Sequence, residues 1–168
     1  MKTIVVYQSN TGFTQQYAEW IANALGAECY ALKEVSAPLP AADNTVIFGG
    51  WIMGNTLSGL EKFRKLCPQP AAVFAVGATP TAATPIDTIR TQNKLGELPL
   101  FYMEGGFRLE KLGFVQRKML NMAKKGSAKQ TEQNAQSRFM AEMLGTSFDH
   151  SDKAFIEPLV QFIAQNSR

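Results

Sequence analysis

The alternation of short β-branched runs with segments of helical spacing constrains this chain more than any other feature. Lys2 to Tyr7 is an apolar run without a breaker. A polar loop follows, and then Phe13 to Leu25, where Tyr17, Trp20, Ile21 and Ala24 share one helical face and Gly26 ends the helix. The same reading predicts further strands from Glu28 to Leu32, Thr45 to Phe48 (ending in Gly49-Gly50), Ala71 to Val76 and Leu98 to Met103. Helices are expected from about Ser58 to Leu66, from Pro85 to about Leu95, and from about Phe155 to Ala164. Pro158 must fall in or near the first turn of the last helix, because a proline inside a helix costs about 3 kcal/mol, so the start of that helix is set only to within several residues. Strands and helices alternating at this spacing predict a doubly wound parallel sheet with helices on both faces. No linker or repeat divides the 168 residues, so one domain is expected. The segment at about 107–148, between the fifth strand and the last helix, is extra to that pattern.

Composition removes several classes of function. No apolar run approaches the roughly 18 residues that cross a bilayer. Met1-Lys2-Thr3 leads straight into a strand pattern with no leader-like order, so a cytoplasmic protein is expected. Cys29 and Cys67 are far apart and form no CxxC pair, which predicts two reduced thiols and neither a zinc site nor a dithiol redox motif. A net charge of +3 is by itself too weak to argue for nucleic acid. His150, the one histidine, reads as part of a polar lead-in to the last helix.

In a doubly wound sheet a ligand lies beyond the carboxyl ends of the strands, where the strand order reverses. Three loops meet there, from Gln8 to Thr14, from Gly49 to Asn55 and from Gly77 to Thr81, all rich in Gly, Ser, Thr and Asn. The candidate binding residues are Gln8, Ser9, Asn10, Thr11, Gly12, Phe13 and Thr14 in the first loop. The second contributes Gly50, Trp51, Ile52, Met53, Gly54 and Asn55, and the third Gly77, Ala78 and Thr79. The first loop follows a strand and opens a helix, whose N-terminus favours an anion. The hydroxyls of Ser9, Thr11 and Thr14 can donate to phosphate oxygens, and Gly12 lets the backbone approach. No Lys or Arg lies in this loop, so the expected site is built from neutral donors and needs no metal. The Walker string and GxGxxG are absent, and Gln8, Ser9 and Asn10 lack the acidic pocket of a response-regulator receiver. An ordinary helix N-cap is the bland alternative.

Ser9, Thr11, Gly12 and Thr14 fall on the hydroxyl and glycine positions of Ser/Thr-x-Thr-Gly-x-Thr, and over nearly its whole length the chain resembles flavodoxins. The resemblance implies a five-stranded sheet in the order 2-1-3-4-5 and non-covalent FMN at the switch point. That placement belongs to the family and is carried over from it. It also implies that Trp51 covers one flavin face, and that the Gly54 carbonyl is the one that turns toward flavin N5. Two departures stand out. Phe13 replaces the Asn common before the last Thr, and Gly77-Ala78-Thr79-Pro80 has no aromatic where many flavodoxins place Tyr, which leaves the outer flavin face open. Flavodoxins that carry electrons are also usually acidic, whereas this chain is basic. Gly105-Gly106-Phe107-Arg108-Leu109 and the basic stretch to Lys125-Gly126 are similar to flavodoxin-type protoporphyrinogen oxidases.

These readings predict an FMN-binding redox protein that exchanges electrons with a partner protein or a small-molecule donor or acceptor. One alternative is a protoporphyrinogen oxidase or quinone-linked oxidoreductase, and another is a cofactor-free interaction protein on the same fold. Between Arg108 and Lys125 the basic residues Arg108, Lys111, Arg117, Lys118, Lys124 and Lys125 face a single acid, Glu110. Leu112, Val115, Met119 and Met122 recur at helical spacing. The stretch is either a solvated surface helix or a docking element for an acidic partner, a carboxylate-rich substrate or an anionic membrane surface.

Overall fold

The computed structural model describes residues 2–40, 42–114, 117–118, 121–122, 125 and 146–166. Among them the chain runs β1 (Lys2–Gln8), α1 (Phe13–Leu25), β2 (Glu28–Ala31), β3 (Asn44–Met53), β4 (Thr56–Leu57), α2 (Leu60–Arg64), β5 (Ala72–Gly77), α3 (Ile86–Gln92), β6 (Leu100–Glu104), β7 (Gly106–Phe107), β8 (Phe148–Asp149) and α4 (Glu157–Asn166). The main sheet has the order β2-β1-β3-β5-β6, and each of these pairings is parallel. With the short β4 left out of the count, this is the expected order 2-1-3-4-5. β4 folds back antiparallel on β3, and β7 and β8 form a separate antiparallel ribbon.

The central strands are apolar throughout because both faces are covered. Successive residues alternate between two cores. Val5, Ile47 and Phe74 face α1 and α4, where Tyr17, Ile21, Leu159 and Ile163 are buried. Val6, Phe48 and Val73 face Leu60 and Phe63 of α2 on the other side. There the Phe48 and Phe63 rings stack with centroids 4.4 Å apart. Fully burying one such side chain contributes about 1.5–3 kcal/mol. Tyr17 ties the layers together: its hydroxyl donates to the Glu104 carbonyl at the end of β6 and accepts from the Asp152 N–H ahead of α4. Burial pushes its pKa up to about 12.

Two sequence expectations change here. The core face of α1 is Tyr17, Ala18, Ile21 and Ala22; Ala24 is exposed. Trp20 is half-buried at the rim, edge-on to Tyr17 at 5.3 Å and beneath the Lys153 ammonium. The small Ala18 and Ala22 let the helix settle on the sheet, which turns the bulky indole to its flank. The third strand, expected to end at Gly49-Gly50, runs on to Met53. The glycines mark close approach within a strand rather than its end. A Cβ at Gly49 would lie 1.9 Å from the Phe74 ring, and one at Gly50 would lie 2.5 Å from the Ser58 carbonyl oxygen.

The remaining helices are shorter than expected or shifted. Pro85 caps α3, and α4 follows a 3-10 turn at Lys153–Ile156 with Pro158 in its first turn. Much of the basic stretch falls outside the described residues, including Val115, Met119 and Lys124. Within it Leu112 is half-buried, whereas Phe114 and Met122 are exposed. Among the described residues no helix is long and apolar enough to cross a membrane.

Candidate functional site

The chain leaves β1 for β2 on one side and comes back to β3 on the other, so the strand order reverses at β1. Register then brings the three candidate loops to one edge of the sheet. Gln8 pairs with Gly50, Trp51 with Val76, and Gly77 with Glu104.

In the first loop, Gly12 has φ 99°, a left-handed conformation that favours glycine, and occupies the N-cap of α1. No side chain caps this helix, and no acid lies in its first turn. The nearest hydroxyl, Ser9 Oγ, accepts from the Gly12 N–H at 3.2 Å, one position short of the helix. The ordinary N-cap is therefore not formed. The first-turn N–H groups of this 13-residue helix open toward the loop, with Ser9 and Thr11 half-buried beside them and Asn10 exposed. Thr14 is only 1% exposed.

Phe13 belongs to the core, and its ring carries the guanidinium of Arg108 at 4.2 Å. The loop expected to be free of cations thus has one beside it. Arg108 Nη1 donates to the Thr11 carbonyl at 3.2 Å, and Nη2 pairs with Asp149 Oδ2 at 3.3 Å. Burial works to raise the Asp149 pKa, but hydrogen bonds from Ser151 and Arg108 outweigh it and hold the carboxyl below its ordinary range. No local signal announces this contact, which spans 97 positions of sequence.

The second loop is a hairpin rather than an open loop. Gly54 and Asn55 have φ 56° and 65°, and together they make the two-residue turn that joins β3 to β4. Gln92 at the end of α3 and the capping Asn93 that follows it hold it. Gln92 Nε2 donates to the Gly54 carbonyl at 2.9 Å. Asn93 donates to the Asn55 carbonyl at 2.7 Å and accepts from the Leu57 N–H at 2.7 Å. Trp51, Ile52 and Met53 are accordingly strand residues. Trp51 and Ile52 are half-buried and Met53 is 51% exposed. The Gly54 carbonyl, expected to turn, must first leave Gln92. The sequence did carry a signal for the hairpin, a Gly-Asn pair between apolar residues.

The third loop spends its polar groups on β6. The Tyr102 hydroxyl donates to the Thr79 carbonyl at 2.6 Å, and Glu104 Oε1 accepts from the Thr81 N–H and hydroxyl at 2.7 and 2.9 Å. Gly77 and Thr79 are buried and Ala78 is half-buried. Burial pushes the Tyr102 pKa up to about 12. His150 is exposed: its backbone N–H donates to the Gly105 carbonyl at 2.9 Å, and its ring centroid lies 4.9 Å from that of Phe148. Among the described residues no cluster of three His, Cys, Asp or Glu could hold a metal ion.

A family model described as Flavodoxin domain matches residues 4–134, most of the chain. The chain belongs to the Flavodoxin domain family. No curated protein matches it. Among solved structures, this Flavodoxin domain protein is similar to a flavodoxin from the domain Archaea. The two share 19% identity over 74% of this chain and 98% of that one, with a TM-score of 0.42. It is also similar to a "putative flavoprotein" from Bacteroides uniformis, with 16% identity over 61% and 88% of the two chains and a TM-score of 0.42. Family membership makes a flavin the expected cofactor. The donor set around α1 fits one that ends in phosphate: an uncapped helix N-terminus, hydroxyls at Ser9 and Thr11, and a nearby cation.

Proposed function

We propose that this protein binds FMN non-covalently and exchanges electrons through it with a partner protein or a small-molecule donor or acceptor. The observation that carries the reading is the uncapped N-terminus of α1, set at the reversal point of the sheet and lined by hydroxyls. An anion there satisfies N–H donors that no side chain of the loop engages, and it complements the helix dipole. FMN supplies the redox chemistry when bound, while the protein binds and orients it.

The residues divide that work. Ser9, Thr11 and the first turn of α1 hold phosphate. Gln8, Gly50 and Trp51 line the sheet edge beside it, and Trp51 offers a flat apolar surface to the ring. The hairpin through Met53, Gly54 and Asn55 and the loop of Gly77, Ala78 and Thr79 border the ring. Because the third loop is tied down and has no aromatic, the outer ring face is left to the electron donor or acceptor.

The same openness favours a second reading, in which the protein oxidises a bulky substrate of the porphyrinogen or quinone class. In both readings the basic segment 108–125 meets an acidic partner, a carboxylate-rich substrate or an anionic surface; Arg117 and Lys118 are exposed there.

Titration of the purified protein with FMN and riboflavin tests the reading. FMN should bind much more tightly. Thr11→Ala should weaken FMN by about tenfold or more, the scale of a hydrogen bond to a charged group, and leave riboflavin unchanged. Equal affinity for the two flavins overturns phosphate recognition, and no flavin bands at all would favour a cofactor-free interaction protein. Catalytic turnover of a porphyrinogen or quinone, in place of stoichiometric electron exchange, would select the enzyme.

A further inference from the structure

Arg108 begins the segment that lies outside the ordinary strand and helix alternation, yet its side chain reaches back to the first loop. It touches three consecutive loop residues: it donates to the Thr11 carbonyl, lies 3.1 Å from where a Cβ on Gly12 would stand, and covers the Phe13 ring at 4.2 Å. The side chain is 27% exposed, so it is neither freely solvated nor fully enclosed. Its carboxylate partner, Asp149, is 48% exposed and meets only Nη2, at 3.3 Å.

This placement gathers positive charge at one point of the loop. The N-terminus of α1 carries a partial positive charge, no acid lies in the first turn to offset it, and Arg108 adds a full positive charge alongside. The long, single-oxygen contact with Asp149 is a weak form of a pair that guanidinium makes best with two oxygens. A phosphate dianion at the loop would answer both positive features.

We propose that Arg108 is the specificity-determining residue of the phosphate subsite. Through it the 107–149 segment lends an otherwise neutral loop the charge that selects a phosphate monoester over an uncharged flavin. The inference rests on the FMN reading above. Asp149 competes with the phosphate for the same guanidinium and sets how much of its charge the ligand meets. The ribbon of β7 and β8 holds this pair at its two ends, since Arg108 directly follows β7 and Asp149 ends β8.

The test is a titration of the parent, Arg108→Gln, Arg108→Lys and Asp149→Asn with FMN and with riboflavin, followed by flavin fluorescence at low and high salt. Arg108→Gln should weaken FMN by about tenfold or more, leave riboflavin unchanged and flatten the salt dependence of FMN binding. Arg108→Lys should keep most of that salt dependence. Asp149→Asn should tighten FMN, because it removes the competing charge while its Oδ1 still accepts from Ser151. If Arg108 were only a strap that fixes the loop, Asp149→Asn would loosen the strap and weaken both flavins together. That sign decides the matter even if Arg108→Gln fails to fold. A parent that prefers FMN beside an Arg108→Gln variant with the same preference overturns this inference alone. A parent that binds neither flavin overturns the FMN reading and this inference with it.

Discussion

The loop after β1 and the hairpin after β3 stand side by side at the sheet edge but are built by opposite means. The first is mainly local: Gly12 turns it, Ser9 closes on Gly12 three residues away, and α1 starts at once. The second is held from afar. Its turn and the start of β4 hang on Gln92 and Asn93 at the end of α3, 36 to 38 positions on in sequence. A loop whose shape comes from its own residues can leave its polar groups to a ligand. A loop that borrows its shape has those groups engaged in the folded chain. The difference is why the proposal gives anion binding to the first loop and ring-side positioning to the second.

The largest expected effect is on the borrowed loop. Asn93 is buried and serves the Leu57 N–H, the Asn55 carbonyl and the Ile89 carbonyl at once. Asn93→Ala leaves the buried Leu57 N–H without its acceptor and takes one donor from the Asn55 carbonyl, while the Ile89 carbonyl keeps the backbone N–H of residue 93, and should cost about 1–3 kcal/mol in urea unfolding. Ser9→Ala removes one half-buried bond and should cost about 0.5–1.5 kcal/mol. If the two variants are equally stable, the contrast between the loops is false.

A smaller effect is expected at Trp51. Stacking contributes about 0.5–1.5 kcal/mol beyond area, so Trp51→Ala should weaken FMN only severalfold. In a Trp20→Phe protein, where Trp51 is the only tryptophan, indole fluorescence should fall when FMN binds. Unchanged fluorescence on binding would move the ring away from β3 and leave Trp51 a strand residue only.

Below these in size lies the basic stretch. Reversing the charges of the exposed Arg117 and Lys118 should leave FMN affinity and stability nearly unchanged while slowing reaction with an acidic partner, most at low salt, where screening is weak. Equal rates at every ionic strength would make the stretch scaffold.

The same division explains what could be read before any coordinates. The parallel sheet and the Ser9–Thr14 loop were legible because each follows from short-range pattern: apolar runs, helical spacing, a glycine between hydroxyls; the strand order came with the resemblance to flavodoxins. Pro85 and Pro158 marked helix starts for the same reason. Gly49-Gly50 misled because a glycine looks the same whether it ends a strand or makes room for Phe74 and Ser58. Trp20 was placed in the core by periodicity, which gives a face but not its exact centre. Arg108 was out of reach altogether, since nothing near it in sequence names Thr11 as its partner.

The smallest expected effect tests the one distant tie the local loop does have, the Arg108–Asp149 pair. Burial alone would raise the Asp149 carboxyl, yet Ser151 and Arg108 bring it below its ordinary value of about 3.9. A carboxyl lowered in the folded state binds its proton less readily there than in the unfolded chain. Its stabilisation is therefore complete above about pH 5 and disappears as pH falls through the folded value. Glu28 and Glu110 are also lowered, so the parent alone cannot isolate Asp149. The informative quantity is the parent minus Asp149→Asn difference in unfolding free energy from pH 6 down to about pH 2.5. Because the pair is nearly half exposed on the acid side, solvent screening should keep that difference under about 1 kcal/mol. It should be constant above about pH 5 and shrink below about pH 4. A difference that stays flat through the acid range would mean that Asp149 gives the folded loop no charge-dependent support. The first loop would then be local in full, and its contrast with the hairpin would be sharper still.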